Sequence, residues 1–322
     1  MSQQPQLPPL TFGPVPSRRF GQSLGINTIP PKTCSYSCVY CQIGRTDRLT
    51  TRRERHCDPG ELLTDVSAVV RQLRERGERI DYLTFVPDGE PTLDTALGDQ
   101  LRLLRPLGIP LAVITNASLL SREDVRSDLA GADRVSVKVD AVRYESWRRV
   151  DRPHGDLQLE TVLDGILEFS RSFGGELDTE TMLVDGMNDA NADIRPLAAF
   201  LQQVKPARSY ISIPTRPPAV AGVQPASEQS LVRAYETLSA AVPQVELLTG
   251  YEGTSFASTG DARADILAVT SVHPMRSDQV DAVLDKCGAS RDVVEWLVRQ
   301  HMLVRVDYGG QCFYLRRLTH IQ

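Results

Sequence analysis

No stretch of the 322 residues approaches the ~18 consecutive apolar positions that a membrane helix needs. The opening MSQQPQLPPL also lacks the charged, then apolar, then small-residue order of a secretory signal, so a cytoplasmic protein without a membrane partner is expected. Positive charge is not in excess. The formal net charge is −5, which leaves no basic field to draw nucleic acid over the whole surface. Cysteine is scarce: of six in the chain, Cys57, Cys287 and Cys312 lie far from one another, which excludes the dense disulfide framework of a small secreted scaffold.

The other three cysteines crowd into CSYSCVYC, at Cys34, Cys38 and Cys41. In a chain without a secretory signal such a cluster reads as metal binding. A structural zinc site wants four closed ligands, and only His56 or Cys57 is near enough in sequence to complete one. A cubane iron-sulfur cluster needs one ligand per iron, so three cysteines leave one iron open to an exogenous group.

Around the cluster, short apolar runs alternate with amphipathic stretches. Strands are expected near 23–27, 80–86, 112–115, 135–139, 179–184 and 210–213, with helices between them. The best marked helix follows Asp58, Pro59 and Glu61, which supply an N-cap, a first-turn proline and a capping-box acid for the apolar spacing Leu62, Leu63, Val66, Val69, Val70, Leu73. Six strand-then-helix units predict an α/β fold with a parallel sheet, as in an incomplete barrel. In such folds ligands sit at the C-terminal strand ends, which here carry DGEPT, TNAS, VDA, DGMND and PTRPP. The pattern changes near Ala262. Helices are expected over 263–270, 277–286 and 290–301, followed by two strands joined through Gly309 and Gly310, a winged-helix pattern. The expected division is a flexible tail over 1–11, a barrel over 12–255 and a winged-helix-like domain over 262–322.

The spacing Cys34-x3-Cys38-x2-Cys41, on a loop after the first strand, resembles the signature of the radical S-adenosylmethionine (SAM) superfamily, with Tyr40 at that motif's aromatic position. GEPTL (89–93) is similar to the superfamily's glycine-glutamate motif, with Asp88 where the commonest form has glycine. GPVPSRRFGQSLGIN, DGEPTL and LVDGMND resemble a group near the wyosine-type tRNA-modifying synthases, whose second cysteine triad this chain lacks.

The resemblance implies a partial (β/α)6 TIM-like barrel and an enzyme with two cofactors, a 4Fe-4S cluster on Cys34, Cys38 and Cys41, and SAM. It implies that Tyr40, Gly89, Glu90, Pro91, Thr92, Asn116 and Lys138 contact SAM, that the cluster receives its electron from a carrier such as flavodoxin or ferredoxin, and that reductive cleavage of SAM yields a hydrogen-abstracting 5′-deoxyadenosyl radical.

Asp140 and Asn188 follow later strands and are candidates for catalysis; Arg143 and Arg152 share that placement, where surface charge is the simpler reading. Arg18, Arg19, Arg52, Arg53 and Arg216 are candidates for substrate contact. Arg52 and Arg53 belong to the run RTDRLTTRRER, which otherwise reads as a solvated face. His154 and His273 read as structural histidines.

The expected substrate is an RNA base or nucleotide-like molecule, tRNA being the candidate partner. One alternative is a peptide or protein bound through the C-terminal domain; another is a non-catalytic redox regulator. The helix SRDVVEWLVRQHM balances Arg291 and Arg299 with Asp292 and Glu295, so duplex DNA is not an expected partner.

Overall fold

Each apolar run finds its neighbour in one curled sheet. A computed structural model describes residues 10–250 and 253–317. In chain order the first part comprises β1 (Thr11–Ser17), β2 (Gly21–Ile26), a two-residue pair β3 (Thr33–Cys34) and β4 (Arg48–Leu49), α1 (Pro59–Glu75), β5 (Tyr82–Phe85), α2 (Leu97–Leu104), β6 (Leu111–Thr115), α3 (Glu123–Leu129) and β7 (Arg134–Lys138). Then come α4 (Tyr144–Val150), α5 (Leu159–Ser172), β8 (Glu176–Met182), α6 (Asn191–Val204), β9 (Arg208–Ser212), α7 (Glu228–Ser239) and β10 (Val245–Leu248). The sheet order is β1-β2-β5-β6-β7-β8-β9-β10. All pairs are parallel except β1 with β2, and the curled sheet forms a half-barrel of the expected TIM-like kind.

All six expected strands are present, and two more flank them. β1 carries two prolines and a glycine, which argue against a strand except at a sheet edge, where a missing N–H costs no ladder bond. β10 is only four residues long, with Glu246 and Leu247 exposed at the opposite edge. β8 begins earlier than its apolar run, at Glu176, and its acids Asp178 and Glu180 are buried along with Leu177, Thr179 and Thr181. Helix α1 forms as expected. The Asp58 carboxylate accepts from the N–H groups of Gly60 (2.9 Å) and Glu61 (3.2 Å), and Leu62, Val66, Val70 and Leu73 are buried.

The turn between β1 and β2 folds inward and closes the bottom of the half-barrel. Ser17 Oγ accepts from the N–H groups of Arg19 and Phe20, and the guanidinium of Arg134 donates to the Arg19 carbonyl at 3.3 Å. The Phe20 ring is buried, with the Arg134 guanidinium 5.3 Å from its centroid.

After the half-barrel follow α8 (Ala262–Val272), β11 (Met275–Arg276), α9 (Ser277–Cys287), α10 (Asp292–Arg299), β12 (Leu303–Tyr308) and β13 (Gln311–Arg316), with a three-stranded sheet in the order β11-β13-β12. Their apolar faces form a second core of Ile266, Val269, Val280, Leu284, Leu297 and others, which also takes in Phe12 and Val15 of β1.

Residues 1–9 of the expected tail lie outside the described residues. Leu10 accepts from the Asn27 N–H at 2.8 Å and Thr11 opens β1. Among the described residues, no helix is long and apolar enough to cross a membrane.

Candidate active site at the open end of the half-barrel

The C-terminal ends of β5 through β10 surround a cavity of about 290 Å³. Cys34, Cys38, Tyr40 and Cys41 form one wall; Gly89, Glu90, Asn116, Lys138, Glu180, Met182 and Ser212 come from the strand ends; Arg18, Arg19 and Arg216 complete it.

The cysteine loop is pinned from behind by the end of α4. Ser37 N–H donates to the Asp151 carbonyl (3.0 Å) and Val39 N–H to that of Val150 (2.9 Å). The Cys38 thiol reaches Asp151 Oδ1 at 3.6 Å. Cys34 sulfur accepts from the Tyr36 N–H and from the Asn116 side-chain amide, both at 3.5 Å.

All three thiols are free, and burial pushes each one up, Cys34 to about 12 with the Glu90 carboxylate adding to the effect. Thiolates at that depth require a cationic group beside them. Three soft sulfur donors along one wall, facing open cavity on the fourth side, fit an iron-sulfur cluster with one iron left for another ligand. The zinc alternative lacks its fourth ligand. Cys57 is buried in the main core with its thiol on the Asp58 carbonyl, and neither it nor His56 lines the cavity. Among the described residues, no three His, Cys, Asp or Glu side chains are gathered as a single ion would need.

Glu90 is the organising acid. Its Oε1 accepts from Thr92 N–H (3.1 Å), Thr92 Oγ1 (2.7 Å) and Thr115 Oγ1 (2.6 Å), and its Oε2 accepts from Asn116 N–H (2.7 Å). Burial raises its pKa, and these bonds pull it back down. Gly89 must lack a side chain because a Cβ there would overlap the Thr33 carbonyl oxygen. Pro91 and Thr92 act behind Glu90: neither lines the cavity, Pro91 opening the short turn and Thr92 donating to the carboxylate.

Lys138 sits with its ammonium 4.8 Å from the Tyr40 ring centroid and 3.3 Å from Glu180 Oε1. Burial would push Glu180 up, yet Arg19 and Lys138 together hold it down at about 2. Glu180 and Met182 were not legible as site residues, because an acid in a strand reads as solvent-facing until the strand is known to line a polar barrel interior.

Several expected site residues stand elsewhere. Asn188 is not on the cavity wall: its amide donates to the carbonyls of Asp140 (2.7 Å) and Met182 (2.8 Å), and its oxygen accepts from Val184 N–H (2.9 Å). Asp140 is buried behind the wall, accepting from Tyr40 OH and from Met182 N–H at 2.6 Å. Arg53 is fully engaged outside the cavity, with Thr92 O (2.8 Å), Asp94 O (2.9 Å), Asp124 (2.7 Å) and Asp128. Arg52 is exposed and faces Glu54 at 3.4 Å. Arg18, Arg19 and Arg216 do line the cavity. Arg216 donates to Gln42 Oε1 (2.9 Å) and lies 2.9 Å from His273 Nε2, while Gln42 Nε2 donates to the Val272 carbonyl (2.9 Å). The loop after Cys41 is thereby tied to the end of α8.

Comparison with known proteins agrees with this geometry. The family profile of the Radical SAM superfamily matches residues 28–198. A UPF0026 protein of Methanocaldococcus jannaschii is 41% identical over 311 residues, covering 96% of each chain. Among solved structures, a radical SAM methyltransferase from Sphaerobacter thermophilus superposes with a TM-score of 0.55 at 19% identity, over 76% of this chain and 69% of that one. TYW1 with a lysine-pyruvate adduct bound gives 0.53 at 13% identity, over 68% and 74%. The chain belongs to the radical SAM superfamily, whose enzymes use a 4Fe-4S cluster and SAM.

Proposed function

We propose that this enzyme acts on an RNA base or a nucleotide-like molecule whose phosphate is met by the arginines of the cavity wall. The observation that carries this reading is charge. In a chain of net charge −5, the wall presents Arg18, Arg19, Lys138 and Arg216 against only two carboxylates, Glu90 and Glu180. A cationic excess inside an acidic protein favours an anionic ligand, and arginine forks match phosphate. The resemblance to the wyosine-type group points the same way.

In this reading Cys34, Cys38 and Cys41 hold the cluster, and Tyr40, Gly89, Glu90, Asn116 and Lys138 line the side where SAM lies. When bound, these cofactors supply a one-electron reductive cleavage that delivers a hydrogen-abstracting 5′-deoxyadenosyl radical. The chain's own residues position and shield. Glu90, held by four hydrogen bonds, offers the remaining capacity of Oε2 to an ammonium donor. Asn116 donates to Cys34 sulfur, a contact of the kind that tunes cluster potential. Met182, Ile213 and Leu248 close the wall with apolar surface that excludes water.

A second reading, a peptide or protein substrate recognised by the winged-helix-like C-terminal unit, is favoured by one feature. β12 is an outer strand of its sheet, and it runs beside a space of about 480 Å³ that shares Pro214, Thr215 and Arg216 with the cavity. An unpaired strand edge suits an extended peptide. Filter binding with bulk tRNA separates the two. The RNA reading predicts retention at low salt that weakens when Arg216→Ala is introduced, and no retention at low salt overturns it.

A further inference from the structure

The cavity side of the cysteine loop faces the space assigned above to SAM and substrate, which leaves the back of the loop as the other approach for an electron carrier. Behind it lies α4. The Asp151 and Val150 carbonyls at its end hold the cysteine loop backbone, and Asp151 touches Cys38. A second contact chain also crosses this layer. The exposed Tyr144 ring lies 6.3 Å from that of Trp147, the Trp147 indole donates to Tyr36 OH at 3.1 Å, and Tyr36 N–H reaches Cys34 sulfur. On this side one helix separates the ligand sulfurs from solvent.

The outer surface of that helix is basic in an otherwise acidic protein. Arg143, Arg148, Arg149 and Arg152 are all exposed, with Glu145 as the exposed acid of the segment. Arg143 has Asp193 at 3.4 Å, and Arg149 donates to the Met187 carbonyl. Arg148 and Arg152 have no side-chain hydrogen bond or ion-pair partner among the described residues. Arg148, Arg149 and Arg152, with Arg143 shared between Glu145 and Asp193, give the helix that carries the exposed Tyr144 a basic outer face, a surface complementary to an anionic redox partner.

We propose that α4 and its exit are the docking surface for a small acidic one-electron carrier protein, which gives up one electron that the cluster gains. The inference rests on the radical SAM reading, since it is the cluster that must be reduced.

The test measures binding and electron transfer separately, using an acidic flavodoxin as probe. Arg148→Glu with Arg152→Glu is compared with a charge-matched control, Arg71→Glu with Arg305→Glu, both exposed positions away from α4. Calorimetric titration should show the α4 variant binding flavodoxin ~10-fold or more weakly than the parent at low ionic strength, the difference shrinking in high salt. Stopped-flow reduction of the reconstituted cluster by reduced flavodoxin should slow by a similar factor, while reduction by dithionite is unchanged. Equal binding by the α4 variant and parent, or an equal loss in the control, overturns the proposal. So does an α4 variant that loses tRNA binding while keeping flavodoxin binding. A cluster that dithionite cannot reduce would instead count against the radical SAM reading, and the calorimetric comparison would still decide the docking surface.

Discussion

At residue scale, the site depends on groups whose neighbours leave them little freedom. Gly89→Ala places a methyl group on the Thr33 carbonyl, beside the backbone that carries Cys34. Overpacking of this kind costs about 3 kcal/mol, so a clear fall in Tm with loss of SAM binding is expected by calorimetry. Asp88 carries a pH signature. Burial pushes it up from 3.8 to about 7, against the pull of the Asn27 amide and the charges of Arg316 and Lys32. A carboxyl raised on folding binds its proton more tightly in the folded chain, so its contribution is present below pH 4 and is lost as pH rises towards 7. At ~1.4 kcal/mol per unit the loss is on the order of 4 kcal/mol. Asp88→Asn should therefore flatten the stability curve between pH 4 and 7 and be more stable than the parent above pH 7. Chemical denaturation across pH checks this, and an unchanged slope contradicts it. The cysteines and GEPTL were legible because their chemistry resides in residue type and spacing. Asn188 and Arg53 were not, because their roles depend on groups that only the fold brings to them: backbone of the Asp140 and Met182–Val184 segments for Asn188, and the Thr92 and Asp94 carbonyls with the Asp124 and Asp128 carboxylates for Arg53.

At element scale, the strand ends deliver the site, and one arginine fastens the turn after β5 to a neighbouring helix. The Arg53 fork spans the carbonyls of Thr92 and Asp94 and the carboxylates of Asp124 and Asp128, and so fastens the Glu90 turn to α3. Its side chain is 5% exposed. Arg53→Ala leaves Asp128 without its buried partner and should cost about 3 kcal/mol. Arg53→Lys should not restore it, since an ammonium cannot reach four acceptors in a plane; thermal unfolding of both variants is the check, and full stability in the lysine variant refutes the clamp. The six inner strands were legible from apolar runs bounded by turn residues. β8 shows the limit, since its acids face a polar barrel interior that alternation cannot announce. β1 was hidden by its prolines, and its turn, with Arg18, Arg19 and Phe20, was legible as motif but not as the plug of the half-barrel.

At the scale of the whole molecule, the half-barrel and the C-terminal unit share a core through Phe12 and Val15 and touch again where Gln42 and Arg216 meet α8. A chain truncated after residue 255 should therefore expose the β1 face and be cut rapidly within β1 and β2 in limited proteolysis, whereas a protease-resistant fragment would mean that the barrel folds alone. The change of pattern near Ala262 was legible; the shared core was not, because it joins residues some 250 positions apart. Whether the three thiols on one wall hold a radical-generating cluster is decided by anaerobic reconstitution with iron and sulfide, reduction, addition of SAM and chromatography of 5′-deoxyadenosine, with Cys38→Ala beside the parent. The parent should release the nucleoside and the variant none. A parent that takes up zinc, binds no SAM and releases no nucleoside would contradict it.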